Sequence, residues 1–246
     1  MSGSARIAIC LATHNPPCEL FRSQIESLRQ QTHSQWTCFI ADDASSLQSR
    51  DLIRAETAGD DRFVVVEHSH RLGTYRNFER ALLHVDATLT DYIALCDQDD
   101  HWYPDKLTTL ADALDSTAPM AFSAMHVIHD GAPRADIERY PSTHATLRLA
   151  ADELMVRNVV PGAAAMFKSS LLPMVLPFPD AGTWAFHDQW IAVVAAINGS
   201  IRYVDRPLYD YVQHDANAAG FSDRTRQLRD RRQLWLGRRI KGLLTH

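Results

Sequence analysis

Tyr92-Ile93-Ala94-Leu95-Cys96 runs directly into Asp97-Gln98-Asp99-Asp100, and the fold can be read outward from this stretch. A short run of apolar residues between turn-forming stretches reads as a strand buried on both faces. The polar residues at its carboxyl end mark the rim where open α/β sheets hold ligands. Nearer the N-terminus the pattern recurs. Ile7 to Ala12 ends in Thr13-His14-Asn15, Trp36 to Ala41 ends in Asp42-Asp43-Ala44-Ser45, and Phe63 to Val66 is a further apolar run. Between these runs Phe21, Ile25 and Leu28 fall on one helical face, as do Phe78, Ala81, Leu82 and Val85. Leu107, Leu110, Ala111 and Leu114 repeat the spacing after the acidic stretch. Strands alternating with helices predict right-handed βαβ units, hence an α/β fold with a mostly parallel central sheet.

The second half is less regular. Ala121 to Ile128 predicts a strand, followed by a polar, proline-containing loop through about Thr143. Ala163 to Phe167 predicts another strand, and Trp190, Val194 and Ile197 mark a helix. Ile201 to Val204 and Leu208 to Val212 read as two short strands. With no internal repeat or obvious linker, a single domain is the simplest expectation.

Composition narrows the function. The chain has 246 residues, 46% of them hydrophobic and 22% charged, which excludes disordered, collagen-like and coiled-coil classes. A net charge of -5 argues against nucleic acid as the main partner. The average hides an asymmetry: residues 221–246 sum to +6 and the body to -11. Cys10, Cys18, Cys38 and Cys96 show neither CxxC nor zinc-ligand spacing, which suits a reducing compartment. The apolar run near the start is too short for a signal peptide, and no stretch approaches the roughly 18 apolar residues of a membrane span. The expected location is cytoplasmic, with peripheral contact at the inner face of the membrane.

The densest chemistry lies at Asp97, Asp99 and Asp100. Three carboxylates in four residues repel one another, and each is raised in pKa unless a cation compensates. Oxygen ligands favour a hard divalent ion, Mn²⁺ or Mg²⁺, which keeps part of its shell for substrate phosphate. The competing reading is an acidic loop in which Asp99 or Asp100 caps the helix starting near Pro104. For Asp42 and Asp43 the competing reading is an ordinary capped turn with Ser45.

The ordered motifs Thr-His-Asn, Asp-Asp-Ala-Ser, Asp-Gln-Asp-Asp-His-Trp and His-Asp-Gln-Trp resemble those of family 2 inverting glycosyltransferases with the GT-A fold. Arg71-Leu72-Gly73 through Asn77-Phe78-Glu79-Arg80-Ala81-Leu82 into Tyr92–Asp97 is most similar to rhamnosyltransferase-like members of polysaccharide assembly. The resemblance covers about residues 5–220. It implies a nucleotide-sugar half over about 5–118, an acceptor half over about 119–220, and a DXD-type metal motif.

Residue by residue, the resemblance implies that Thr13 and Asp43 contact the nucleotide base, with Ala12 and His14 beside them. Asp97, Gln98 and Asp99 form the metal-and-ribose motif, with Asp99 as the direct metal ligand and His214 as a further metal or diphosphate ligand. Arg71 and Asn77 lie near the diphosphate and base. Asp188 is the general base that deprotonates the acceptor hydroxyl, and Gly162, His187 and Trp190 line the acceptor side. The implied partners are a nucleotide-diphosphate sugar and a saccharide or lipid-linked acceptor.

Two other classes compete. A sugar-1-phosphate nucleotidyltransferase needs a glycine-rich basic loop after the first strand, and Thr13-His14-Asn15-Pro16-Pro17 has neither glycine nor lysine. A non-catalytic nucleotide-sugar module has no need of carboxylates at both 99 and 188. In the tail, Leu236, Ile240 and Leu243 repeat at helical spacing among Arg238, Arg239 and Lys241. That predicts a basic amphipathic helix over 221–246, suited to an anionic membrane surface or to packing on protein.

Overall fold

In the computed structural model the predicted strands are present, most with boundaries moved by a residue or two. The structure describes residues 5–129, 131–133, 139–140, 149–180 and 186–214. The first strands and helices are β1 (Ile7–Thr13), α1 (Cys18–Arg29), β2 (Trp36–Asp42), α2 (Leu47–Thr57), β3 (Phe63–Glu67), α3 (Thr74–Leu83) and β4 (Tyr92–Cys96). Next come β5 (His101–Trp102), α4 (Lys106–Ala113), β6 (Met120–His129), β7 (Ala132–Pro133), β8 (Arg139–Tyr140) and α5 (Ala151–Val156). The last described elements are β9 (Ala165–Lys168), α6 (Leu172–Val175), α7 (His187–Asn198) and β10 (Ile201–Gln213).

They build one mixed sheet in the order β3-β2-β1-β4-β9-β6-β10-β5, with β7 and β8 paired to β6. The first four strands are mutually parallel, and β6 and β10 form a second parallel pair. Between these groups β9 runs antiparallel to both β4 and β6, and β5 is antiparallel to β10. The register decides where the chemistry sits. Thr13 is level with Asp42, and Asp42 with Glu67, so the strands β1, β2 and β3 end at one edge. Beside them Leu11 pairs with Cys96, which delivers the acidic stretch to the same edge.

The helices are held by their apolar faces. Phe21, Ile25 and Leu28 of α1 are fully buried, as are Phe78, Ala81 and Leu82 of α3. Each such side chain contributes roughly 1.5–3 kcal/mol relative to exposure. Among the described residues no helix is long and apolar enough to cross a membrane.

Three expectations change. The two short strands near 201–212 are one bent strand, β10, whose register against β6 shifts on both sides of Pro207. Proline has no N–H to give the ladder, so the strand continues only by bulging there. The strand expected from Ala163 starts at Ala165, because Gly162–Ala164 forms a 3₁₀ turn with Ala164 N–H donating to Pro161 O. The loop expected through Thr143 contains the short strands β7 and β8. The basic helix expected over 221–246 lies outside the described residues.

Candidate active site

At the ends of β1 and β2 the polar side chains are already engaged with one another. Thr13, buried, donates its hydroxyl to Gln98 Oε1 at 2.8 Å, and the same oxygen accepts the His14 N–H at 2.9 Å. Gln98 therefore ties the first strand end to the acidic loop after β4. The His14 ring meets Asp43 O through Nδ1 at 2.8 Å. Asn15 N–H donates to Ser45 Oγ, and Asn15 Oδ1 accepts the Ser46 N–H. Both turns bend sharply, with Asn15 at φ 44° and Ala44 at φ 59°. Asparagine tolerates this region, whereas alanine's Cβ makes it costly, so the surrounding bonds must hold Ala44 in place.

Asp43 is nearly buried and grips the loop before α3. Its Oδ1 accepts from Leu72 N–H at 2.8 Å and from Arg80 at 3.0 Å, and its Oδ2 from Gly73 N–H at 2.7 Å. Gly73 starts α3 at φ 82°, where a side chain would be strained. Asp42 instead faces Ser45 N–H and Arg50, both at 3.2 Å. The capped-turn reading is thus half correct: the cap of α2 is Ser46, which accepts from Ser49 N–H, and neither aspartate caps it.

In the acidic loop, Asp99 Oδ2 and His214 Nε2 stand 2.9 Å apart. Asp100 is buried, with Oδ1 accepting the Val212 N–H at 3.3 Å and Oδ2 unpartnered among the described residues. Neither aspartate caps α4, whose N-cap is Asp105 without a side-chain bond. The Asp99 carboxyl is raised by burial, against the bond from His214, which lowers it. Asp100 is raised well above the carboxylate range, first by burial and then by Asp97 and Asp99. Burial therefore outweighs the mutual repulsion read from the sequence.

Lys106, the first residue of α4, is fully buried. Its ammonium lies 3.7 Å from the Trp102 ring centroid and 4.1 Å from that of Tyr209, and donates to Ala163 O. Burial pulls this lysine down to about 7, while Cys96, Asp100 and Asp97 push it up.

Asp188 sits in the first turn of α7, 1% exposed. Its Oδ1 accepts from Asn158 Nδ2 and Gln189 N–H, both at 2.8 Å, and its Oδ2 from Gly162 N–H at 3.1 Å. The bond from Gln189 serves the helix start. Those from Asn158 and Gly162 bind two other segments. His187 stacks on Phe78 with ring centroids 3.7 Å apart, joining α7 to α3. A Cβ at Gly162 would fall 2.7 Å from His187 Nε2, so only glycine fits without a shift.

The structure thus gathers Thr13, His14, Asp43, Gln98, Asp99 and His214 at the sheet edge, with Ala12 at the adjoining end of β1, and unites Gly162, His187 and Asp188. Asp97 is half-buried at the head of the acidic loop. Asn77 is buried and donates to Ala41 O at 2.8 Å and Thr13 O at 3.3 Å, which braces strand ends. Trp190 donates its indole N–H to Val175 O, holding α6 to α7. Arg71 is exposed on the loop. Sequence reasoning missed Asn158, Arg80 and Lys106. Arg80 lay inside a quoted motif, Lys106 two residues after Pro104 at a helix start, and Asn158 in a stretch without periodicity.

The donors that stand together for a divalent ion are Asp99 and His214, which in this structure are hydrogen-bonded to each other. Two ligands at right angles on an ion with bonds of about 2.1 Å stand about 3 Å apart. The pair is close to that spacing, although among the described residues no cluster of three His, Cys, Asp or Glu gathers to hold a metal. Mg²⁺ is commonly held by one or two carboxylates, with waters and substrate phosphate filling the rest of its shell, which suits Asp99.

Comparison with known proteins identifies the family and the fold. The family model described as "Glycosyl transferase family 2" matches residues 8–172. A dTDP-rhamnosyl transferase RfbG from Shigella flexneri is 24% identical over 218 residues, covering 85% of this chain and 73% of that protein. Among solved structures, S. aureus TarS 1-349 in complex with UDP-GlcNAc superposes with a TM-score of 0.67 at 16% identity. The match covers 91% of this chain and 65% of that one. Mannosyltransferase PcManGT from Pyrobaculum calidifontis, in complex with GDP-Man and Mn²⁺, gives 0.62 at 22% identity over 86% and 58%. The chain therefore spans less than two thirds of these two structures. The fold is the GT-A α/β fold expected from the motifs.

Proposed function

Because the chain belongs to glycosyl transferase family 2 and is a glycosyltransferase, we propose that it moves rhamnose from a dTDP donor, with inversion, onto a hydroxyl of a saccharide or lipid-linked acceptor in cell-surface polysaccharide assembly. In this reading about 5–118 holds the donor and about 119–220 the acceptor. The observation that carries it is the convergence of Thr13, Asp43, Gln98 and Asp99 on the edge where strands β1, β2 and β4 end. The likeness to the Shigella flexneri dTDP-rhamnosyl transferase supports the sugar.

Lone-pair arithmetic at Asp43 supports a pyrimidine nucleotide. An ionised carboxylate has about four acceptor positions, and Leu72, Gly73 and Arg80 occupy three. One is left, on Oδ2. The single imino N–H of thymine or uracil fits it, whereas guanine presents two adjacent donors.

Asp188 takes the proton of the acceptor hydroxyl as that oxygen bonds to the anomeric carbon. The anomeric carbon–phosphate oxygen bond breaks on the opposite face, and the nucleoside diphosphate leaves. Asn158 and Gly162 hold the carboxylate in orientation, which is what general-base catalysis needs. At 1% exposure the carboxylate must become accessible before it can meet an acceptor. Mn²⁺ or Mg²⁺ held by Asp99 and His214 would supply Lewis-acid stabilisation of the diphosphate. The same burial favours a second reading of Asp188, as a brace for α7, with the base elsewhere.

A thermal-shift panel of dTDP-, UDP- and GDP-sugars with and without Mn²⁺ tests the donor, since a ligand of the native state raises its stability by mass action. dTDP-rhamnose with Mn²⁺ should give the largest rise, and a GDP-sugar outranking both pyrimidine nucleotides would overturn the assignment. NMR of the product anomer then reads inversion. The membrane contact rests on the basic residues 221–246. Flotation with anionic vesicles should be lost when the chain ends at Gly220.

A further inference from the structure

Lys106, buried in the site region, has no role in the transfer scheme. A fully buried ammonium is expensive, and among the described residues no carboxylate oxygen stands within ion-pair distance of it. Leucine or methionine would fill the same volume without burying a charge. What the charge does have is direction. On two sides it meets the faces of Trp102 and Tyr209, whose π-systems attract a cation. Its hydrogen bond goes to Ala163 O, in the middle of the 3₁₀ turn Gly162–Ala164. One residue earlier, Gly162 N–H holds Asp188 Oδ2. The charges of Asp100 and Asp97 in the acidic loop act on it as well.

We infer that Lys106 is a positioning residue for sugar transfer: it pins the Gly162–Ala164 turn to the Trp102 and Tyr209 rings and so fixes the Asp188 carboxylate relative to the bound donor. The contacts form one relay. Trp102 directly follows His101 after the acidic loop, and Tyr209 is its register partner on β10. The ring cage that orients the ammonium is therefore part of the donor-side framework, while its acceptor atom belongs to the turn that carries Asp188. Without the ammonium the Ala163 carbonyl loses a charged donor and the turn loses its anchor, while the strand ends that hold the nucleotide keep all their bonds.

This inference rests on the reading of Asp188 as base, and the test separates the two. The full chain is compared with Lys106→Met, Asp188→Asn and the double variant. The reaction followed is hydrolysis of whichever sugar nucleotide in the dTDP, UDP and GDP panel the wild-type protein turns over fastest with Mn²⁺. Hydrogen exchange is read in parallel on the peptide covering 160–166. Lys106→Met should lower kcat about tenfold with little change in donor KM, and exchange in 160–166 should quicken about tenfold while β1 stays protected. In the Asp188→Asn background the same substitution should change kcat little, since groups that act as a unit are not additive. If Asp188→Asn leaves kcat intact, the base assignment fails. If Asp188→Asn is slow but Lys106→Met is wild type, or its effect multiplies fully with that of Asp188→Asn, the positioning role alone fails. Unchanged exchange in 160–166 overturns it as well. Should Lys106→Met not fold, Trp102→Leu, which removes one face of the cage and leaves the lysine, must give the same pattern at smaller amplitude. A Trp102→Leu protein with wild-type kcat and exchange would then refute the relay.

Discussion

Two carboxylates are held in two different ways. Asp99 stands three residues past the end of β4, and its bonded partner His214 stands directly after the end of β10, another strand of the same sheet. Asp188 stands in the first turn of a helix. It is oriented by Asn158, 30 residues earlier, and by Gly162, 26 residues earlier, neither of them on a strand. A sheet edge positions its polar residues as a by-product of hydrogen-bonded pairing. Where no sheet does this, each orienting bond must be supplied by a particular distant residue, and each can be removed singly.

The contrast can be broken at several points. The largest effect belongs to Asp188→Asn, which should lower kcat by about 10²-fold or more while donor affinity by calorimetry stays the same. Near-normal turnover would reduce Asp188 to the brace of the second reading. Next is Asp99→Asn, for which Mn²⁺-dependent binding of nucleoside diphosphate should weaken about 10-fold or more. Its melting temperature should hold, because the strand pairing around it is untouched. Equal Mn²⁺ dependence in the variant and wild type would refute the metal assignment.

Gly162→Ala comes third. Its new Cβ must displace His187 and crowd Asp188 Cβ at 3.3 Å, a packing strain of about 1–3 kcal/mol. Thermal melting should show the loss, and kcat should fall with it. A stable, fully active Gly162→Ala protein would mean that the turn yields at no cost to Asp188.

The smallest effect is at Asp115, a carboxylate outside both regions. It accepts from Thr117 through both N–H and hydroxyl, from Ala118 N–H and from Arg202. These bonds, those of Thr117 first, lower its pKa to about 2. A depressed carboxyl contributes stability that is fully present above its unfolded value, near 4, and is lost as pH falls through about 2. The melting-temperature gap between wild type and Asp115→Asn should therefore be widest above pH 4 and close towards pH 2. A gap constant over that range would contradict the low value.

The same contrast explains what the sequence made legible. The strands β1, β2 and β4 were readable because a strand inside the sheet needs a near-continuous apolar run, and each of these runs ends in residues that form the edge of the site. Two-residue β5 was not, since His101–Trp102 is a strand only through antiparallel pairing with Tyr209 and Asp210. The bend of β10 looked like a gap between two strands because proline interrupts the ladder without ending the strand. Lys106 was hidden for another reason. A lysine at a helix start reads as solvated, and nothing local says that Trp102 and Tyr209 will close over it. Asn158 gave no signal, because its value to Asp188 exists only once α7 has docked.

Strand β10 has a bearing on the order in which the protein is made. Val212 N–H reaches Asp100 across 112 positions of chain, and His214 reaches Asp99 across 115. At roughly 5–20 residues per second, a ribosome needs on the order of ten seconds to travel that far. For that interval β1 to β4 can pair and bury their apolar faces, yet the acidic loop lacks the partners that complete it. A nascent chain halted before residue 207 has its nucleotide-side strand ends in place but lacks the Val212 and His214 bonds to Asp100 and Asp99, so the acidic loop is completed in a late step.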